Sequence, residues 1–160
     1  GFTGTRCGYT VVPEDLIQKN SKGEDVKIAD LWNRRQGSKF NGVSYPVQRG
    51  AEAVFTPEGQ KQTKATIAYY QENARMIAAT CDELGISYTG GINSPYIWLK
   101  CPNGMGSWDF FDYLLNEIQV VGTPGAGFGK NGDGWFRLTA FGTHEATAEA
   151  MERLKGLIKK

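Results

Sequence analysis

Residues 56–85, TPEGQKQTKATIAYYQENARMIAATCDELG, are the most strongly patterned stretch of this 160-residue chain. Thr56 can cap a helix, Pro57 suits its first position, and Gly85 is of the type that commonly ends a helix in the left-handed conformation. Between them, apolar or aromatic side chains recur every three or four residues, which is typical of a helix buried along one face. These side chains are Ile67, Tyr70, Ala74, Ile77, Cys81 and Leu84. The pattern predicts one long amphipathic helix of about 40 Å, enough to cross a small domain or to join two domains.

The sequence before this helix predicts a strand, a surface connection and two further helices. Residues 9–12, YTVV, are typical of a short buried strand. Residues 14–40 are polar and mixed in charge, with one short helix indicated by the apolar side chains within 28–32. Residues 41–42, NG, are a turn signal, and residues 43–55 have the apolar spacing of a helix that packs on one face.

The sequence after the long helix changes to short strands and helices. Strands are predicted at residues 86–88, 96–99, 119–121 and 135–141. Ser107 can cap a helix that starts before the third of these strands. The apolar side of that helix is predicted to consist of Trp108, Phe111, Leu115 and Ile118. A last helix is predicted over residues 145–160, with His144 at its start. Strand pairs with helices grouped around them predict an α+β unit from about residue 86 onward.

Composition excludes several classes of function. Eighteen basic and seventeen acidic residues leave a net charge of +1, which gives no general field for nucleic acid or for anionic lipid. No apolar run approaches the ~18 residues that a membrane-spanning helix needs. The three cysteines form no Cys-x-x-Cys pair and His144 is the sole histidine, so neither a disulfide framework nor a metal site is supported. We therefore expect no nucleic-acid partner, no membrane, no metal and a reducing compartment.

Residues 122–134, GTPGAGFGKNGDG, form a glycine-rich segment that superficially resembles a nucleotide-binding loop. The Walker pattern requires serine or threonine after Gly-Lys, whereas Asn131 follows Lys130. A dinucleotide loop requires a helix after its glycines, whereas a strand is predicted here. The sequence therefore predicts a structural connection in which glycine permits positive φ and close backbone approach.

Three polar residues are candidates for binding, each with an alternative interpretation. Arg137 lies in the predicted 135–141 strand, opposite a core face made by Phe136 and Leu138. From the pattern alone it is either a solvated surface charge or the planar fork of a carboxylate site. Arg6 is either a surface charge at a strand end or an anion ligand, and Asn41 is either a turn former or a site residue.

Six segments taken together resemble the fold-type I pyridoxal-phosphate aminotransferases. The segments are residues 1–13 (GFTGTRCGYTVVP), 40–42 (FNG), 93–98 (NSPYIW), 107–111 (SWDFF), 120–129 (VVGTPGAGFG) and 136–142 (FRLTAFG). The first segment resembles the stretch that follows the cofactor-binding lysine of that family, and the first and last are shared by many of its members. Their combination resembles the branch of the family that acts on diaminopimelate, and the resemblance covers essentially the whole chain.

The resemblance implies a fold and a domain organisation. The fold class is α/β, with an α+β small domain over residues 86–160. A long linking helix, residues 57–85, would lead into it from the last portion of the large cofactor domain, residues 1–56.

The resemblance also implies roles for the three candidate residues. The cofactor would be pyridoxal 5'-phosphate, with Arg6 holding its phosphate through a charge-assisted contact. Asn41 would reach the cofactor or substrate site of the neighbouring subunit in a homodimer, and Arg137 would bind the substrate α-carboxylate through two hydrogen bonds. The glycine-rich segment would let the small domain close over the substrate.

The implied reaction is an amino transfer between an amino acid and a 2-oxo acid. For this branch of the family the pair is LL-2,6-diaminopimelate and 2-oxoglutarate, in lysine biosynthesis, and the implied location is the cytoplasm.

The family pattern places the cofactor-binding lysine three residues before Gly1. We therefore expect this chain to be a piece whose upstream part is missing, and no catalytic residue is assigned within it. None of Lys19, Lys22 or Lys27 stands in the required context, so the polypeptide alone is expected not to transaminate. Two alternatives remain open: a stand-alone, non-catalytic α+β module that binds a small carboxylate, and a structural domain that completes a dimer.

Overall fold

The computed structural model describes residues 3–158 and the side chains of residues 4–157. The first two residues of the GFTGTR segment and the last two of the predicted C-terminal helix lie outside this part of the chain. The described residues form five α-helices and six short strands, which confirms the predicted α/β class. They divide into two compact units, residues 1–64 and 65–160.

The first unit contains a short hairpin and two helices. Strands β1 (Ile17–Lys19) and β2 (Asp25–Lys27) pair antiparallel. Helix α1 (Ile28–Lys39) follows directly, and helix α2 (Tyr45–Ala53) comes after the turn at residues 41–42. Asn41 and its glycine neighbour have positive φ values of 66° and 118°, the backbone conformation that the predicted turn signal favours, and they connect α1 to α2.

The strand predicted at residues 9–12 is wrong. In the described chain no strand begins before Ile17, and Tyr9 and Val11 are 84% and 76% exposed. A strand forms only where a neighbour bonds its N–H and C=O groups, and none of the described strands pairs with this segment. The hairpin was not predicted, because a hairpin exposed on both faces lacks the alternating apolar pattern by which strands are recognised.

The first unit has no core of its own. None of the described side chains from residue 4 to residue 72 is buried. Large apolar side chains at the ends of its helices are instead exposed, among them Leu31, Phe40, Tyr45 and Phe55. A local hydrogen bond from Gln48 Nε2 to the Val43 carbonyl at 2.7 Å joins α2 to the residues directly before it.

Helix α3 (Pro57–Leu84) has both of its predicted ends. At its start, Thr56 Oγ1 accepts a hydrogen bond from the N–H of Gly59 at 3.1 Å. At its end, Gly85 adopts a φ of 66° and the N–H of Ile86 donates to the Cys81 carbonyl at 2.9 Å. This is the bond of a Schellman motif, which satisfies a carbonyl that the end of a helix would otherwise leave without a partner.

The second unit is built on a four-stranded antiparallel sheet of order β3-β4-β6-β5. The strands are β3 (Tyr88–Gly90), β4 (Tyr96–Lys100), β5 (Thr123–Pro124) and β6 (Trp135–Thr139). The remaining helices are α4 (Ser107–Ile118) and α5 (His144–Ile158), and α5 begins at the predicted histidine.

The core of this unit is formed by side chains from β4, β6, α3, α4 and α5. Its largest fully buried members are Ile77, Ile97, Leu99, Phe110, Leu114, Phe136 and Leu154. The rings of Phe110 and Phe136 pack edge to face at 5.2 Å, which joins α4 to β6. Phe136 and Leu138 are buried as predicted, so β6 turns its alternate residues to the opposite face.

One prediction for this unit is wrong in part and another is wrong. Of the four residues predicted for the apolar side of α4, Phe111 and Ile118 pack partly buried against the core, whereas Trp108 and Leu115 are exposed. The fully buried residues of α4 are instead Phe110 and Leu114. Apolar side chains cover more than half of the circumference of α4, with Asp109, Asp112 and Asn116 on the remaining side, so spacing alone did not select which part of the apolar side is buried. Residues 119–121 do not form a strand, because Gln119 adopts a left-handed φ of 52° that ends α4.

Ser107 does not cap α4 as predicted, because it is the first residue of the helix. Gly106 is the N-cap residue, and the buried Ser107 hydroxyl lies 3.1 Å from Asp133 Oδ1. The same carboxylate oxygen accepts the N–H groups of Ser107 and Gly134 at 3.1 Å and 3.0 Å. These hydrogen bonds, that from the Ser107 N–H above all, lower the pKa of Asp133 because they favour its charged form.

Asp133→Asn is expected to make the stability of the fold less dependent on pH in the acidic range. Since the folded-state pKa is lowered, the carboxylate stabilises the fold above its unfolded pKa of about 4. That contribution is lost as the pH falls through the lower folded-state pKa. Asparagine retains an oxygen that can accept the Ser107 N–H but does not titrate. Thermal unfolding followed by circular dichroism from pH 7 to pH 3 should show a larger fall in Tm for the native chain, and equal falls would contradict this role.

Candidate functional site

Arg137 is the charged residue at the centre of the outer face of the sheet. Its neighbours in β6, Phe136 and Leu138, point into the core, so Arg137 projects from the opposite face and is half-buried there. Its directly opposite neighbours are Trp98 in β4 and Thr123 in β5. Of the two interpretations left open by the sequence, a freely solvated surface charge is disfavoured by this half-buried placement.

Two aromatic rings contact the Arg137 guanidinium. Its Cζ lies 4.2 Å from the centroid of the Tyr96 ring and 4.5 Å from the centroid of the Phe128 ring. Both distances are within the range of a cation–π attraction. Tyr96 belongs to β4, diagonally across the ladder from Arg137, whereas Phe128 belongs to the glycine-rich segment. Residues from two separate parts of the unit therefore meet at one guanidinium.

No acidic side chain in the described part of the chain forms an ion pair with Arg137. Its positive charge is therefore not neutralised within the unit. A guanidinium presents its donors in a planar fork that matches the two oxygens of a carboxylate. The arrangement can bind a small carboxylate anion that approaches the outer face of the sheet.

The glycine-rich segment folds as two short 3-10 turns, Gly125–Phe128 and Lys130–Gly132. The two turns meet at a backbone contact that only glycine allows. A Cβ on Gly125 would lie 2.1 Å from the Gly132 carbonyl oxygen, and one on Gly132 would lie 2.0 Å from the Gly125 oxygen. Strand β6 follows, as predicted, so the segment lacks the helix that a dinucleotide site requires. Its observed role is to place Phe128 over Arg137.

A buried amide fixes the end of β6. Asn73 is fully buried on α3, and its Nδ2 donates to the carbonyl oxygens of Ala140 and Gly142 at 3.0 Å and 2.7 Å. The residue between them, Phe141, packs edge to face on Tyr96 at 5.9 Å. Asn73 was not predicted from the sequence, although a polar residue beside Ala74 on the apolar face of an amphipathic helix is a usable signal.

Tyr96 was also missed as a site residue. The alternation of β4 places Tyr96 and Trp98 on the face opposite Ile97 and Leu99, both of which are buried. That signal is present in the sequence, but the antiparallel register that brings Tyr96 to Arg137 is not.

The other two candidate residues lie in the first unit. Arg6 follows the 3-10 turn Thr3–Thr5, has a left-handed φ of 56° and is exposed. Asn41 follows α1 and is also exposed, and its N–H donates to the Gln36 carbonyl at 2.9 Å. A guanidinium suits a phosphate group and an amide suits a hydroxyl or carbonyl oxygen. The chemistry of these donors thus fits the pyridoxal phosphate that the sequence resemblance implies.

The three cysteines are free thiols, and two of them are buried in the second unit. Burial raises the pKa of Cys81 to about 11, with a smaller contribution from the charge of Asp82. Burial likewise raises the pKa of Cys101 to about 11, helped by Asp133. Both therefore remain protonated at neutral pH and are poor nucleophiles.

Metal-binding clusters and membrane-spanning helices are both absent from residues 3–158. This part of the chain holds no group of three or more histidine, cysteine or acidic side chains placed to bind a metal ion. No helix within it combines the length and the apolar character needed to cross a membrane.

Comparison with known proteins places these features in a family. The family "Aminotransferase class I and II" matches residues 1–154. A curated relative, LL-diaminopimelate aminotransferase of Methanosphaera stadtmanae, is 55% identical over 157 residues, which are 98% of this chain and 38% of the relative.

Solved structures of aminotransferases are similar to the chain as well. L,L-Diaminopimelate aminotransferase from Chlamydomonas reinhardtii matches with a TM-score of 0.80 and 42% identity, over 91% of this chain and 35% of that one. The aromatic aminotransferase from Pyrococcus horikoshii matches with a TM-score of 0.63 and 26% identity, over 68% of this chain and 30% of that one. The chain thus spans a little over a third of the first two relatives. Since the family match covers nearly all of its residues, the chain belongs to the class I and II aminotransferases.

Proposed function

We propose that the chain is the C-terminal part of a pyridoxal-phosphate-dependent aminotransferase. The proposed reaction transfers an amino group between LL-2,6-diaminopimelate and 2-oxoglutarate, in lysine biosynthesis. The observation that carries the proposal is the half-buried Arg137 guanidinium, which two rings contact and which pairs with no acidic side chain among the described residues. The two diaminopimelate aminotransferases at 55% and 42% identity support the choice of substrate.

Arg137 is the proposed ligand of the substrate α-carboxylate. Two parallel N–H···O bonds would fix both the position and the rotation of the amino acid. The outer face of the sheet leaves the guanidinium accessible from one side, while β6 anchors its backbone to the core. The substrate α-carbon would therefore be held in one orientation, which is the contribution a protein makes to cofactor-dependent chemistry.

Arg6 and Asn41 are the proposed ligands of pyridoxal phosphate in this chain. Arg6 would bind the phosphate group, and Asn41 would reach the cofactor or substrate site of the neighbouring subunit in a homodimer. When bound, the cofactor accepts the amino group and withdraws electrons from the α-carbon of the amino acid. The exposed position of both side chains agrees with roles toward groups outside the unit that holds them.

The proposed domain organisation assigns residues 1–56 to the end of a large cofactor domain, 57–85 to a linking helix and 86–160 to a small domain. The absence of buried side chains between residues 4 and 72 in the described chain supports this assignment. The apolar side chains exposed there would be covered by the rest of the large domain and by a second subunit. The proposed location is the cytoplasm, and the glycine-rich segment would let the small domain close over the substrate.

Arg137→Lys in the complete enzyme is expected to lower kcat/KM by about 10- to 100-fold, because a lysine ammonium cannot form two parallel hydrogen bonds to a carboxylate. Initial rates with LL-2,6-diaminopimelate and 2-oxoglutarate measure the effect. Arg75→Lys is the matched control, since Arg75 is exposed on α3. Unchanged kcat and KM in the Arg137 variant would remove this residue from the site.

The 160-residue polypeptide by itself is expected to show no transamination. Its Lys19 ammonium is paired with Asp25 at 2.8 Å, and neither Lys22 nor Lys27 has the sequence context of a cofactor-binding lysine. The assay is glutamate formation from 2-oxoglutarate with LL-2,6-diaminopimelate as the amino donor and added pyridoxal phosphate, with the Methanosphaera stadtmanae enzyme as the positive control. Turnover above background by the purified polypeptide would refute this expectation.

A further inference from the structure

Arg137 has a long side chain that loses conformational freedom when it binds a ligand. Holding an arginine in one position before the ligand arrives reduces that loss. Proteins commonly hold arginine with a carboxylate, but a carboxylate would also neutralise the charge that an anionic ligand needs. In the described part of the chain no carboxylate forms an ion pair with Arg137. A restraint on the free guanidinium therefore has to come from a contact other than an ion pair.

The two ring contacts supply a different restraint. Tyr96 and Phe128 both lie close to the guanidinium carbon, at 4.2 Å and 4.5 Å. No hydrogen bond joins the Tyr96 hydroxyl to Arg137 among the described residues. The contact is therefore an attraction between the charge and the ring faces, which adds no opposite charge.

Each of the two rings is itself supported. Phe128 packs edge to face on Trp98 at 5.1 Å. Tyr96 packs on Phe141 at 5.9 Å, and Phe141 packs on Tyr70 of α3 at 4.8 Å. Because Asn73 bonds the carbonyls on both sides of Phe141, the support behind Tyr96 reaches the buried part of α3. The rings are thus part of the packed unit and can restrict the guanidinium between them.

We infer that Tyr96 and Phe128 are positioning residues that hold Arg137 ready for a carboxylate while leaving its charge available. This inference rests on the proposed function of Arg137 as the α-carboxylate ligand. Tyr96 provides the fixed ring, because it lies in β4 within the sheet. Phe128 provides the outer ring, since it is 54% exposed and lies in the glycine-rich segment.

The test compares variants that remove each ring with variants that keep it. Tyr96→Leu and Phe128→Leu remove the ring faces, whereas Tyr96→Phe and Phe128→Tyr retain them. Two measurements are made on each complete enzyme: the ¹⁵N relaxation of the Arg137 Nε–Hε group without substrate, and kcat and KM for the amino donor. Tyr96→Met and Phe128→Met replace the leucine variants if circular dichroism shows that those do not fold.

The leucine variants are expected to raise KM by about 5- to 30-fold, with a smaller change in kcat. This fold-change corresponds to the free energy of one cation–π contact. Their Nε–Hε group should show faster internal motion than in the native enzyme. The ring-keeping variants should match the native enzyme within about twofold in KM. A merely structural role would lower Tm without changing the relaxation of this one group.

Three results would overturn the inference. The first is unchanged relaxation and unchanged KM in the ring-removing variants. The second is faster motion of the guanidinium with no rise in KM, which would separate the restraint from binding. The third is a raised KM with unchanged relaxation, which would mean that the rings act on the substrate directly. Failure of the proposed function is a different result: Arg137→Lys would then bind and turn over substrate like the native enzyme.

Discussion

Strand β6 directs its side chains alternately to the core and to the outer face of the sheet, and the site depends on that alternation. Phe136 and Leu138 are buried against the helices, so the backbone of Arg137 cannot shift or rotate without disturbing the core. Strand β4 is subject to the same constraint, because Ile97 and Leu99 are buried and Tyr96 and Trp98 face outward. The burial of one face of the sheet thus fixes the positions of the charged and aromatic groups on the other.

The connections around the sheet add restraints that lie far apart in the sequence. Asp133 joins the end of the glycine-rich segment to the start of α4 through Ser107. Asn73 joins α3 to the turn after β6 through two carbonyls. The Asn73 Nδ2 group is buried and meets two backbone carbonyls, without which its burial would be costly, whereas Asp133 is exposed and accepts backbone N–H groups at the surface. Together they hold the two ends of β6, and with them the strand that carries Arg137.

Local features of the fold were predictable from the sequence, because short-range chemistry determines them. The ends of α3 follow from Thr56 and Gly85, and the outward direction of Arg137 follows from the alternation of β6. The buried face of α4 was predictable only in part, because apolar side chains cover more than half of its circumference and the sheet decides which of them it covers. The strand assigned to residues 9–12 failed because an apolar run becomes a strand only when another strand pairs with it.

The candidate site was predictable only in part, for the same reason. Arg137 can be recognised in the sequence as the single charged residue of the predicted strand, and the family resemblance implies a role for it. The rings of Tyr96 and Phe128 reach it through an antiparallel register and through a backbone contact between Gly125 and Gly132. Those contacts depend on which segments meet in space. No local pattern in the sequence predicts these contacts.

The central claim is that the Arg137 guanidinium binds the carboxylate of an amino acid from the outer face of the sheet, where no described acidic side chain pairs with it. A crystal structure of the complete enzyme with LL-2,6-diaminopimelate tests it most directly. The predicted result is a planar pair of hydrogen bonds of about 2.8 Å from Arg137 to both oxygens of the α-carboxylate. A substrate carboxylate bound by other residues, with Arg137 in solvent, would contradict the claim.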